Sequence, residues 1–116
     1  MSGEPLSLVI GAKALDGLQM RMSALAWNMA NASSPHFQEI KVDFESALRR
    51  AASQGEDAVR NLQFTFSAGQ ALGAADDRRM DLLIADASQT AMRYSALADM
   101  LGRRISLAAA AIGGQG

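Results

Sequence analysis

His36 is the only histidine in a chain of 116 residues that has no cysteine. Acid–base or metal chemistry near neutral pH would have to be assembled around that side chain. Neither a nucleophile nor a further ligand stands beside it, and a solvated loop histidine is the simpler reading. Asp77 and Asp81 are four apart and could share a divalent cation, but hard cations want more oxygen ligands, and acids are favoured at helix starts anyway. Asp43 and Glu45 point to different sides in a helix or a strand, which gives paired-carboxylate catalysis little support. A Gly-rich phosphate loop is missing. The pairs Arg49-Arg50, Arg78-Arg79 and Arg103-Arg104 are scattered among acids and read as solvated faces or intersubunit salt bridges. With a formal net charge of −1, nothing in the overall electrostatics recruits nucleic acid or an anionic membrane. The expectation is a non-enzyme with no catalytic residue, metal or cofactor.

Asn28 and Asn31 offer hydrogen bonding instead. Three apart on one helix side, they either bridge to the backbone of the following turn or to a neighbour, or they cap the helix end.

The elements that position these residues are helical. Apolar residues make up 49% of the chain, mostly small or aliphatic. Leu8, Gly11, Leu15, Leu18, Met22, Leu25, Met29 and Ala32 advance in steps of three and four, predicting a helix over about 7–32 with one apolar seam. Ser33, Ser34 and Pro35 end it. A second seam, Met80, Ile84, Ala87, Ala91, Tyr94, Ala98, Leu101, Ile105, Ala108 and Ile112, predicts a helix over about 77–112. Asp76, Asp77 and Asp81 suit its positive end, and Gly113-Gly114 stops it. These helices would be about 40 and 50 Å long at 1.5 Å per residue.

The turn and middle, about 33–75, read as short and irregular. Asp43 is placed to cap a short helix with Phe44, Ala47, Leu48 and Ala51 on one face, and Leu62, Phe64 and Phe66 alternate like a short strand. The stretches 53–57 and 68–75 read as exposed connection. The fold class is thus mainly α: two long antiparallel terminal helices with coiled-coil-like packing in one domain of 1–116. Neither a cleavable signal peptide nor a transmembrane helix is expected.

Each helix carries apolar residues outside its seam. Met20 and Trp27 point away from the first; Leu83, Leu97, Met100 and Leu107 flank the second. Burying one large apolar side chain is worth roughly 1.5–3 kcal/mol, so either a partner covers them or the middle folds back with Phe44, Leu48, Phe64 and Phe66. Met20, Trp27, Leu97, Met100 and Leu107 are the candidate intersubunit contacts. A helical adaptor or secretion-chaperone-like module that binds one partner helix would use the same faces.

The run Ala26-Trp27-Asn28-Met29-Ala30-Asn31-Ala32-Ser33-Ser34-Pro35-His36-Phe37 resembles the amino-terminal signature of flagellar basal-body rod proteins. In that family a helix ends in Ala-Ser-Asn-Ile-Ala-Asn-Ala before a Thr-Pro-Gly-Tyr-like turn, matched here at Asn28, Ala30, Asn31, Ala32 and Pro35, with Phe37 in the place of Tyr. Trp27 stands where the family has a small Ser, and His36 where it has Gly. The stretch from Met92 to Ser106 looks most like the proximal rod branch, the FlgB type, and the short middle lacks the large insertions of hook and distal rod proteins.

The resemblance implies a structural subunit exported through the flagellar type III apparatus without a cleaved signal, polymerising in the periplasm as a rod that carries torque from the rotor ring to the hook. It implies as partners further copies of the chain, other rod subunits of the FlgC and FlgF types, the adaptor FliE and, indirectly, the MS ring.

Overall fold

The computed structural model describes residues 4–34, 37–71 and 77–113. Pro35, His36, Asp76 and Gly114, each singled out above, lie outside the described residues. The first helix, α1, spans Glu4–Asn31. Its end has a local cause: Asn31 Nδ2 donates to the carbonyl of Trp27 at 2.8 Å, and the chain then turns through Ala32 to Ser34. After β1 (Gln38–Lys41) come α2 (Phe44–Ala52), α3 (Glu56–Asn61), β2 (Ser67–Ala71) and α4 (Asp77–Gly113). The protein is mainly helical. Both long helices lie where their periodicity predicts, and they pack together in a body of 62 × 26 × 14 Å.

The packed stripe on α4 differs from the expected one. Its inward residues are Leu83, Ala87, Thr90, Tyr94, Leu97 and Leu101, buried or half-buried. Tyr94 and Leu101 are in it, but Ile84, Ile105 and Ile112 are 51%, 58% and 75% exposed and are not. Thr90 explains the difference. A polar residue in the middle of the true stripe makes it look interrupted, whereas the exposed stripe beside it is apolar throughout. On α1, Leu18 and Leu25 are buried and Leu15 and Met29 half-buried, while Met22 is exposed rather than seated in the seam. Met20 and Leu97, expected to be free for a neighbour, instead pack half-buried against the core.

Two buried clusters hold the fold. Leu25 and Ala32 of α1 and its end meet Leu83 of α4. The larger cluster joins Leu18 and Ala24 to Val42, Phe44, Leu48, Ala51 and Val59, so the middle segment supplies most of its bulk. The α2 helix buries Phe44, Leu48 and Ala51 at the expected helical spacing. Asp43 precedes α2 without a side-chain bond to its backbone. Between α2 and α3, Gly55 sits at φ 113°, a left-handed conformation that glycine adopts without penalty.

Residues 62–66 form no ladder. Leu62 and Phe64 pack against the large cluster and Phe66 stays exposed; pairing begins at Ser67 and runs on to Ala71, into the 68–75 stretch expected to be open connection. The two strands run antiparallel, with Gln38 opposite Ala71 and Ile40 opposite Ala68. This register sets an extra residue on β2 against Glu39, a bulge. Gly69 permits the close approach there, since a Cβ would lie 3.1 Å from Lys41 Cδ and 3.3 Å from Glu39 Cβ.

Candidate interaction surface

One flank of α1 is filled from within the chain. Gly17 leaves a notch that receives the Phe44 ring, where an added Cβ would be 2.3 Å from Phe44 Cγ. Arg21, one turn further on, lies over the same ring at 4.6 Å from its centroid. Its guanidinium donates to both Glu45 carboxylate oxygens, at 2.7 and 2.6 Å, and to the Val42 carbonyl at 2.8 Å. Hydrogen bonding from Arg21 holds the Glu45 carboxyl below its ordinary range, and the Glu45 carboxylate raises Arg21 in turn. The Phe44 and Phe64 rings meet at 5.6 Å. The middle segment therefore does fold back, with Phe44, Leu48 and Phe64, but it covers α1 and leaves Phe66 outside.

The end of α1 carries the signature residues. Asn28 is 1% exposed and uses both ends of its amide: Nδ2 donates to the Ile40 carbonyl, and Oδ1 accepts from the Ile40 N–H, both at 2.9 Å. Of its alternatives, this is bridging to backbone, made to strand β1 beyond the turn. Asn31 instead caps its own helix. Ala30 is exposed. Trp27 is 47% exposed and stacks at 6.3 Å on Phe37, which is buried and also lies near the Arg79 guanidinium. A half-exposed indole held against a buried ring is preorganised for contact.

The outer side of α4 is different. Ile84, Ala91, Ala98, Ile105 and Ile112 recur every seven residues along it, and Met92, Met100 and Leu107 stand exposed beside them. From Gly102 onward every described residue is exposed, and no charged residue follows Arg104. Arg104 donates to Ser7 Oγ near the start of α1, so the last turns of α4 run on past the place where α1 begins. A helix apolar on all sides is ordinarily a buried one.

Concave features offer less. A cleft of about 270 Å³ between α1, β1 and α4 is lined by Arg21, Lys41, Glu39, Asp43 and Asp86, a mixture that favours neither sign of ligand. Among the described residues, no group of three or more His, Cys, Asp or Glu side chains gathers where a metal ion would fit, and no helix is long and apolar enough to cross a membrane. The sequence matches no family model, and no curated protein matches it either.

Periodicity did not reveal the role of Asn28, because the strand it serves was not foreseen. The Gly17 notch and the Arg21 clamp were also missed. Arg21 beside Gly17 on α1, with Phe44-Glu45 opening α2, was the available signal.

Proposed function

We propose that this chain is a structural subunit of the bacterial flagellar basal body, a proximal rod protein of the FlgB type, working by helix packing and torque transmission rather than catalysis. The observation that carries the proposal is the exposed apolar side of α4, from Ile84 to Ile112, joined to a rod-like signature at the end of α1. A chain that leaves this much aliphatic surface bare gains its remaining stabilisation from neighbours.

In this reading α1 and α4 form an antiparallel coiled-coil-like pair, consistent with Ser7 meeting Arg104 and Gly11 meeting Leu101 while Leu25 meets Leu83. Trp27, Met100 and Leu107 face neighbouring subunits, as do Ile84, Ile105 and Ile112. The partners are further copies, FlgC- and FlgF-type rod subunits and FliE, reached after export by the flagellar type III apparatus without a cleaved signal. The site of action is the periplasmic rod between the MS ring and the hook.

Sedimentation velocity with far-ultraviolet circular dichroism over a wide dilution series, with and without rod partners, tests this. Growth of extended oligomers with rising helicity is expected. A compact monomer at every concentration, or a fixed one-to-one complex with a single helix, would favour the adaptor or secretion-chaperone reading. Leu101→Asp, placing a charge against Gly11 in the packed stripe, is expected to block assembly.

A further inference from the structure

The chain has seven methionines and no cysteine, so its thioethers are the only sulfur that an oxidant can attack. The fold sorts them. Met20, Met29 and Met80 are half-buried against the two clusters, and Met22 on α1 is 37% exposed. Met92 and Met100 of α4 stand at 68% and 57%. Met1 lies outside the described residues. Met92 falls midway between Leu83 and Leu101, which at about 100° per residue sets it half a turn away from the packed stripe. Met100 follows about 12 Å further along and about 80° round, on the side that carries Leu107.

We propose that Met92 and Met100 form an oxidant-sensitive modification site: a hydroperoxide converts their thioethers to sulfoxides, and the outer side of α4 then no longer associates. This rests on the reading of that side as an assembly surface. The sulfur lone pair attacks the terminal peroxide oxygen as the O–O bond breaks, and the proton on the attacked oxygen passes to the departing one. An S–O bond forms, the thioether is oxidised by two electrons, and the peroxide is reduced to water, or to an alcohol where it is organic.

The product decides the consequence. A thioether packs as an aliphatic chain does, whereas a sulfoxide carries an acceptor oxygen that must be hydrogen-bonded or left in water. Burying it in an aliphatic contact is penalised where burying the thioether is favourable. In the free chain both side chains already face water, so the added oxygen costs the fold little. The site therefore acts on association and not on the stability of the subunit. Assembly in turn buries the two sulfurs, which confines the reaction to free subunits. Methionine sulfoxide is reducible by methionine sulfoxide reductases, so the change is reversible.

The test treats the dilute full chain with graded hydrogen peroxide, locates each added oxygen by fragment mass spectrometry, and then follows association by sedimentation velocity, alone and with rod partners. Met92 and Met100 are expected to gain oxygen first, with helicity in the dilute chain unchanged and association weakened at least about tenfold. Reduction with methionine sulfoxide reductases should restore it. The double variant Met92→Leu, Met100→Leu keeps every other methionine, so peroxide should change its association less than about twofold relative to its own untreated form. Oxidation that begins at Met20, Met29 or Met80, a treated chain that associates as before or loses its helices, or a variant as peroxide-sensitive as the native chain would overturn this inference alone. An untreated native chain that never associates would overturn the rod reading with it. If the double variant does not associate even untreated, reductase treatment decides: loss of association at Met92 and Met100 sulfoxide without recovery overturns the inference, and recovery upholds it.

Discussion

The two long helices are treated unequally by the rest of the chain. One flank of α1 is notched at Gly17, filled by Phe44 and clamped by Arg21, while no described residue fills in the outer side of α4. The middle segment thus completes one helix and leaves the other incomplete. Residues that look alike in the sequence, such as Met20 and Met100, end in opposite circumstances, the first against the core and the second in solvent.

Substitutions on the α1 flank should cost the isolated chain far more than those on α4. Phe44→Ala empties the notch and is expected to destabilise the monomer by about 3–5 kcal/mol, read from urea unfolding. Gly17→Ala drives a Cβ into a buried ring that cannot swing aside. Overpacking of about 1–3 kcal/mol there should exceed the roughly 1 kcal/mol gain in helix propensity, so the thermal midpoint falls. Asn28→Ala strands the Ile40 N–H and C=O, at about 1–3 kcal/mol, and should speed amide exchange at Ile40.

Glu45→Gln is a smaller perturbation, about 0.5–1 kcal/mol, because the carboxylate is well exposed. Its sign with pH follows from the lowered Glu45 pKa. The stabilisation is complete above the unfolded value of about 4.3 and disappears as pH falls through the lower folded value. The variant should therefore flatten the acid side of the stability profile. Leu107→Ser or Ile112→Ser sharpens the contrast most, since either should leave the monomer melt unchanged within about 0.5 kcal/mol yet abolish concentration-dependent association. A large loss of monomer stability there would mean that the outer side of α4 is covered after all.

Helix positions were legible because long apolar periods dominate them, and α2 was legible from Phe44, Leu48 and Ala51. Which stripe of α4 faces inward was not. Two stripes one residue apart share Ala87, Tyr94 and Leu101, and only tertiary contact chooses Leu83 and Thr90 over Ile84 and Ala91. The ribbon was hidden for another reason. Ser67–Ala71 has no β-branched or aromatic residue, and its pairing depends on Gly69 fitting beneath Glu39 and Lys41. Trp27 was legible as an outward residue, but its stacking on Phe37 was not.

The glycine notches have a mechanical consequence. Gly11 receives Leu101 and Gly17 receives Phe44. At about 100° per residue the two recesses open roughly 120° apart around the α1 axis. A single recess would let a helix roll about the bump that fills it. Two recesses at different azimuths behave like keyways on a spindle: turning α1 to ease one drives backbone into the other, so its rotation and axial position are locked together.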